Sequence, residues 1–180
     1  MQEHIKVPQD RIGVIIGVEG NVKKVIEEKT GCTMDVDSES GSVVIESEGE
    51  AIAALKASEA IKAIARGFSP EKAFRLIENE DLMLDVIDLS NITTTPADLT
   101  RIKGRIIGKN GKTREVIEQM AGVKMSVYGK TISLIGDPEQ LTTARAAIDM
   151  LLDGAPHGAV YSYLEKRRRE LKRSQFETIE

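Results

Sequence analysis

The residues best suited to chemistry lie between 103 and 114, where the chain reads Lys-Gly-Arg-Ile-Ile-Gly-Lys-Asn-Gly-Lys-Thr-Arg. Gly108 and Gly111 bracket a two-residue loop, and Lys103, Arg105, Lys109, Lys112 and Arg114 surround it with cations. Glycine carries no Cβ, so a phosphate can approach the backbone closely at such a loop. The N–H groups of the loop and of a following helix N-terminus would then act as donors with partial positive charge. Lysines at a helix start oppose the macrodipole, so their presence there points to an anionic partner. Gly111-Lys112-Thr113 also matches the end of an NTPase P-loop. That motif needs a glycine five residues before Gly111, where Ile106 stands, and a strand rather than a helix ahead of it. His4 and His157 are far apart, and no nucleophile–base grouping or acid-rich metal motif accompanies them. The expectation is therefore a binding protein, not an enzyme, with no metal and no cofactor.

These residues belong to one of two copies of a unit. Aligning Gly13–Gly31 with Gly104–Gly122 gives 9 identities in 19 positions without a gap, where chance gives roughly one or two. Each copy reads as strand, short helix, glycine loop, helix, hairpin and long helix. In the first, Ile5–Val7 is a strand stopped by Pro8, and helices over 9–16 and 21–30 flank Gly17-Val-Glu-Gly20. Strands at 32–36 and 43–46 turn at Ser38–Gly41, and a helix spans about 50–66. The second copy has clearer caps: Thr95-Pro96-Ala-Asp98 opens the helix that leads to the loop, and Asp137-Pro138-Glu-Gln140 opens the last one. Ser69-Pro70 starts a helix between the copies.

The order β-α-loop-α-β-β-α resembles a type I KH domain, with Gly17-Val-Glu-Gly20 and Gly108-Lys-Asn-Gly111 where that family carries its GXXG loop. The expected fold is α+β: two tandem type I KH domains, each a three-stranded antiparallel sheet with three helices on one face. The boundaries expected are 1–68 for the first domain, 69–82 for a linker helix, 83–160 for the second domain and 161–180 for a basic extension. The resemblance implies that single-stranded RNA, about four nucleotides at a time, lies against an aliphatic groove. Only 3% of residues are aromatic, which argues against a stacking platform. The expected RNA-binding residues are Lys103, Gly104, Arg105, Ile107, Gly108, Lys109, Asn110, Gly111, Lys112, Arg114 and Lys124. Val116 and Met125 complete the groove floor, although core packing is the main role of the apolar members.

Charge separates the copies. Residues 1–100 sum to −9 and residues 101–180 to +5, within an overall −4. The matched windows 10–39 and 101–130 sum to −3 and +6. Val18-Glu19 replaces the usual basic residue in the first loop, and a carboxylate there repels phosphate. The first copy thus reads as weakened for RNA or turned toward a protein. The segment Glu165–Arg173, with six basic residues, reads either as a solvated helix end or as additional phosphate contact. The lone Cys32 excludes an internal disulfide and suits a reducing cytoplasm. No apolar run of about 18 residues suggests a membrane span, and the first residues lack the pattern of a signal peptide.

A wider likeness covers about residues 5–173. The degenerate first loop, Arg66-Gly-Phe-Ser-Pro-Glu-Lys-Ala-Phe-Arg-Leu76, the loop GKNGKTR at 108–114 and Ala155-Pro-His-Gly-Ala-Val-Tyr-Ser-Tyr-Leu164 are similar to those of archaeal two-KH assembly factors of the small ribosomal subunit, counterparts of the eukaryotic "partner of Nob" family. This resemblance implies binding near the 3′ end of small-subunit rRNA, and the expected state is a monomer. It also implies two protein partners, the Nob endonuclease and the translation initiation factor two alpha subunit. The other reading of the chain is a protein-interaction adaptor with incidental RNA contact.

Overall fold

The computed structural model describes residues 1–179, in two units that meet at Leu84 and Asp85. In the first, β1 (Gln2–Lys6), β2 (Thr33–Asp37) and β3 (Ser42–Glu46) form an antiparallel sheet in the order β1-β3-β2. Alternation sets the register: Ile5 and Val36 both lie opposite Val43, and Met34 lies opposite Ile45. Ile5, Met34, Val43 and Ile45 are buried, as expected for a sheet with one face on a core and the other in water. Helices α1 (Gln9–Ile16), α2 (Asn21–Thr30) and α3 (Ala51–Ala65) supply Ile12, Ile15, Ile26, Ile61 and Ile64 to that core.

The segment expected to be a linker is part of this unit. Helix α4 (Pro70–Glu78) packs on α3 and α2 and buries Ala73 and Leu76, with Phe68 buried just ahead of it. Burying an aromatic ring and a leucine removes enough apolar surface to hold such a segment down. The Ser69 hydroxyl caps α4 by accepting from the Lys72 N–H. Beyond it, the buried Lys56 ammonium donates to the Leu82 carbonyl at 2.6 Å, which ties the end of the unit to α3.

The second unit repeats the plan. Strands β4 (Met83–Asp88), β5 (Lys124–Tyr128) and β6 (Thr131–Gly136) pair in the order β4-β6-β5. Helices α5 (Pro96–Ile107), α6 (Lys112–Ala121) and α7 (Pro138–Leu152) supply Ile102, Ile106, Ile117, Ala144 and Ile148 to its core. The Thr95 hydroxyl accepts from the Asp98 N–H, and Asp137 and Gln140 form a reciprocal capping box. A fourth helix, α8 (His157–Ile179), is added. The boundary expected at 160 falls inside this helix, because Val160 and Leu164, one turn apart, are both fully buried in the second core. No helix among the described residues is long and apolar enough to cross a membrane.

Candidate nucleic-acid interface

Each glycine loop is a single 3-10 turn wedged between two helices, Val18–Gly20 in the first unit and Lys109–Gly111 in the second. The backbones match closely. Gly108 has φ 77° and ψ 171°, a conformation open almost only to glycine. Asn110 follows in the left-handed region at φ 55°, then Gly111 at φ 73°. A Cβ on Gly108 would stand 2.2 Å from Thr113 Oγ1 and 2.7 Å from the Thr113 amide nitrogen. The first glycine is thus demanded by the turn itself. A Cβ on Gly104 or Gly111 would meet nothing within 4 Å, so these two positions leave open surface. Gly111 also caps α6 with no side chain answering the first-turn N–H groups. The Gly111 and Lys112 N–H groups close the 3-10 turn onto the Gly108 and Lys109 carbonyls, and the helix end beyond them presents its partial positive charge to an anion.

Beside this loop lies a cleft of about 470 Å³ lined by Arg101, Gly104, Arg105, Gly108, Lys109, Lys112, Thr113, His157 and Tyr161. Five expected residues therefore share one cleft: Gly104, Arg105, Gly108, Lys109 and Lys112. Asn110 and Gly111 complete the loop but do not line it. Ile107 ends α5 half-buried, Lys103 lies one turn earlier and half-buried, and Lys124 starts β5 opposite Ile135. Arg114 is half-buried on α6 and is held by Glu118, Nε to carboxylate, at 3.0 Å.

The cations differ in how free they are. Lys103, Lys109, Lys112 and Lys124 have no carboxylate partner among the described residues. Arg101 pairs with Asp98 at 2.6 Å, and this hydrogen bond, aided by the Thr94 N–H, holds the Asp98 carboxyl below the usual carboxylate range. Arg105 does a structural job that the sequence reading did not give it. Its guanidinium donates to the Leu151 carbonyl at 3.3 Å and the Ala155 carbonyl at 2.6 Å, answering the exposed C-terminal end of α7.

His157 and Tyr161 were missed as site residues. The His157 ring nitrogen Nε2 lies 3.0 Å from the Arg105 carbonyl, and the Tyr161 hydroxyl lies 3.0 Å from Thr113 Oγ1. The two rings meet edge to face at 6.3 Å. The first turn of α8 thereby buttresses both helices that hold the loop. The one available signal was the pairing of two aromatic-type side chains at i and i+4 in a segment otherwise remarkable only for its charge.

The first loop has the same bones and different chemistry. Gly17, Glu19 and Gly20 have φ values of 76°, 54° and 75°, and a Cβ on Gly17 would lie 2.5 Å from Val22 Cγ2. Its tip presents Val18, 84% exposed, beside the Glu19 carboxylate. Neither unit groups three or more metal-ligating side chains among the described residues.

Residues 2–63 match the KH domain family, and residues 83–169 match the eukaryotic-type (type I) KH domain that is the second of PNO1. The KH domain-containing protein MJ0443 of Methanocaldococcus jannaschii is 42% identical over 97% of this chain and 78% of its own length. The Dim2p chain in the crystal structure of an a/eIF2alpha–aDim2p–rRNA complex from Pyrococcus horikoshii OT3 superposes with a TM-score of 0.88. It is 46% identical, over 94% of this chain and 95% of that one. The chain belongs to the PNO1/Dim2 family of tandem KH proteins. RNA-binding protein PNO1 of Oryzias latipes is a more distant relative, 36% identical over 63% of this chain. The chain spans about half, 48%, of that relative's length. The two family models leave out α4 but take in the first half of α8, whereas the alignment with the Methanocaldococcus jannaschii relative, over 97% of this chain, takes in α4 as well.

Proposed function

We propose that this protein binds single-stranded RNA in small-subunit ribosome assembly, gripping pre-rRNA near its 3′ end through the Gly108–Gly111 loop. The observation that carries the reading is the pairing of an uncapped α6 N-terminus with the partner-free Lys109 and Lys112 across a glycine surface. A phosphodiester fits that site: the backbone N–H groups bind its oxygens and the lysines neutralise it. Gly104, Ile107, Val116 and the start of β5 would receive the bases, with Lys103 and Lys124 beside them. The relative from Pyrococcus horikoshii, whose structure contains both rRNA and a/eIF2alpha, supports this reading.

The first unit serves protein docking in the same proposal. Val18 and Glu19 offer an apolar knob and a carboxylate where the second loop offers a lysine and an asparagine. The translation initiation factor two alpha subunit and the Nob endonuclease are its proposed partners. The protein acts in the cytoplasm as a monomer and binds rather than catalyses.

The test is binding of a labelled oligonucleotide matching the small-subunit rRNA 3′ end. Lys109→Asp/Asn110→Asp should weaken binding about a hundredfold and flatten its salt dependence, while Val18→Ala/Glu19→Ala should leave both unchanged. Wild-type binding by the first variant would remove the clamp and leave the chain as a protein adaptor.

A further inference from the structure

Helix α8 does more than buttress the loop. Tyr161 meets Thr113 and Arg168 meets Met120, both across 48 residues, so α8 runs alongside α6 in the same direction. The two contacts are seven residues apart, about 10 Å along the helices. One end of this seam is the clamp-loop cleft. The other is a groove of about 270 Å³ lined by Met120, Glu165, Arg168, Arg169 and Lys172.

The charges of α8 are sorted around its axis. Residues 165, 168, 169 and 172 have the spacing of a single helix face, and that face looks into the groove. Arg167, on the opposite side, is paired with Glu170. Arg168, Arg169 and Lys172 have no carboxylate partner among the described residues, and Arg168 directs an N–H at the Met120 thioether, a weak acceptor, at 3.4 Å. Glu165 is the one acid in the groove, against three cations. Glu165 offsets one of them, and the remaining excess of two positive charges on one face is electrostatically unfavourable without an anion.

We propose that the α6–α8 seam is a second track for the same RNA strand. On this reading, which rests on the clamp proposed above, nucleotides beyond those held by the KH groove pass Tyr161 and place their phosphates on Arg168, Arg169 and Lys172. The track reads backbone rather than bases, because its polar groups are all cations apart from Glu165. It lengthens the footprint without adding sequence preference. Tyr161 at the mouth offers a ring edge and Met120 a polarizable apolar floor for a passing base.

The experiment uses the full chain and oligonucleotides from the rRNA 3′ end, a core of about four nucleotides and the same core extended by about four more at either end. In wild type, extension at one end should tighten binding about tenfold and steepen the salt slope by about two, since each phosphate contact on a single strand contributes roughly 0.7. Arg168→Glu/Arg169→Glu/Lys172→Glu alters only exposed side chains. It should lose that gain and bind the core as wild type does. Lys166→Glu/Arg167→Glu, on other faces of α8, should keep it. Absence of any gain on extension, or an equal gain in the seam variant, overturns the track and leaves the clamp standing. Equal binding of the core by wild type and Lys109→Asp/Asn110→Asp overturns the clamp and the track with it.

Discussion

The two glycine loops agree in every backbone angle that matters and in almost nothing else. From Gly17 to Gly20 and from Gly108 to Gly111 the positive-φ residues match within about two degrees. In both, the first glycine sits where a Cβ would strike the side chain and amide five residues on. The glycines are therefore a folding requirement in each unit. The phosphate chemistry rests on what the backbone carries: Lys109, Asn110 and Lys112 in one loop, Val18, Glu19 and Asn21 in the other.

The largest effect should come from attacking what the loops share. Gly108→Ala and Gly17→Ala should each destabilise their own unit by about 3 kcal/mol, combining strain in a glycine-only conformation with a clash. Chemical denaturation followed by a probe in each unit would check this. A harmless Gly17→Ala would show that the first loop has been released from the shared geometry. A smaller effect is expected from exchanging what differs. With the second loop disabled by Lys109→Asp/Asn110→Asp, the graft Val18→Lys/Glu19→Asn should return roughly tenfold of the lost RNA affinity, about 1.4 kcal/mol. A graft with no effect would place the first unit's deficit in its wider acidic surface instead.

Capping sharpens the comparison further. The capping box makes Asp137→Ala cost about 1 to 2 kcal/mol in the second unit. The equivalent helix of the first unit starts at Glu50 with no side-chain cap, so Glu50→Ala should be close to neutral in thermal unfolding. The smallest effect concerns pH. The hydrogen bond from Lys62 holds the Glu3 carboxyl below the usual range. Its small contribution to the first unit is present above the ordinary glutamate pKa and is lost as pH falls through the depressed one. Lys62→Met should remove that part of the acid sensitivity, and titration of stability between neutral and acid pH would show it.

The repeat made most of the fold legible, because glycines at a fixed spacing and alternating apolar residues are local signals. Thr95 and Asp137 announced their helices in the same way. What the sequence concealed was non-local. Phe68, Ala73 and Leu76 look like ordinary amphipathic spacing in a linker, and only the surfaces of α2 and α3 show where that face goes. The structural role of Arg105 left no local trace because its partners are backbone carbonyls 46 and 50 residues away. Arg11 does the matching job in the first unit, donating to the Ile64 and Phe68 carbonyls at 2.8 Å. The two arginines do not align at the repeat offset of 91, so comparison of the copies cannot pair them. The Val160 and Leu164 pair was available as a core signal but was hidden by the charge run that follows it.

The collision a side chain would make at Gly17 also bears on descent. After a gene duplication, such a glycine stays under selection for folding even when its copy no longer meets the original ligand. A lineage could trade away every basic residue around it, and the Gly-X-X-Gly spelling would persist. In duplicated modules of this kind the glycines therefore record ancestry, and the variable pair between them records present employment.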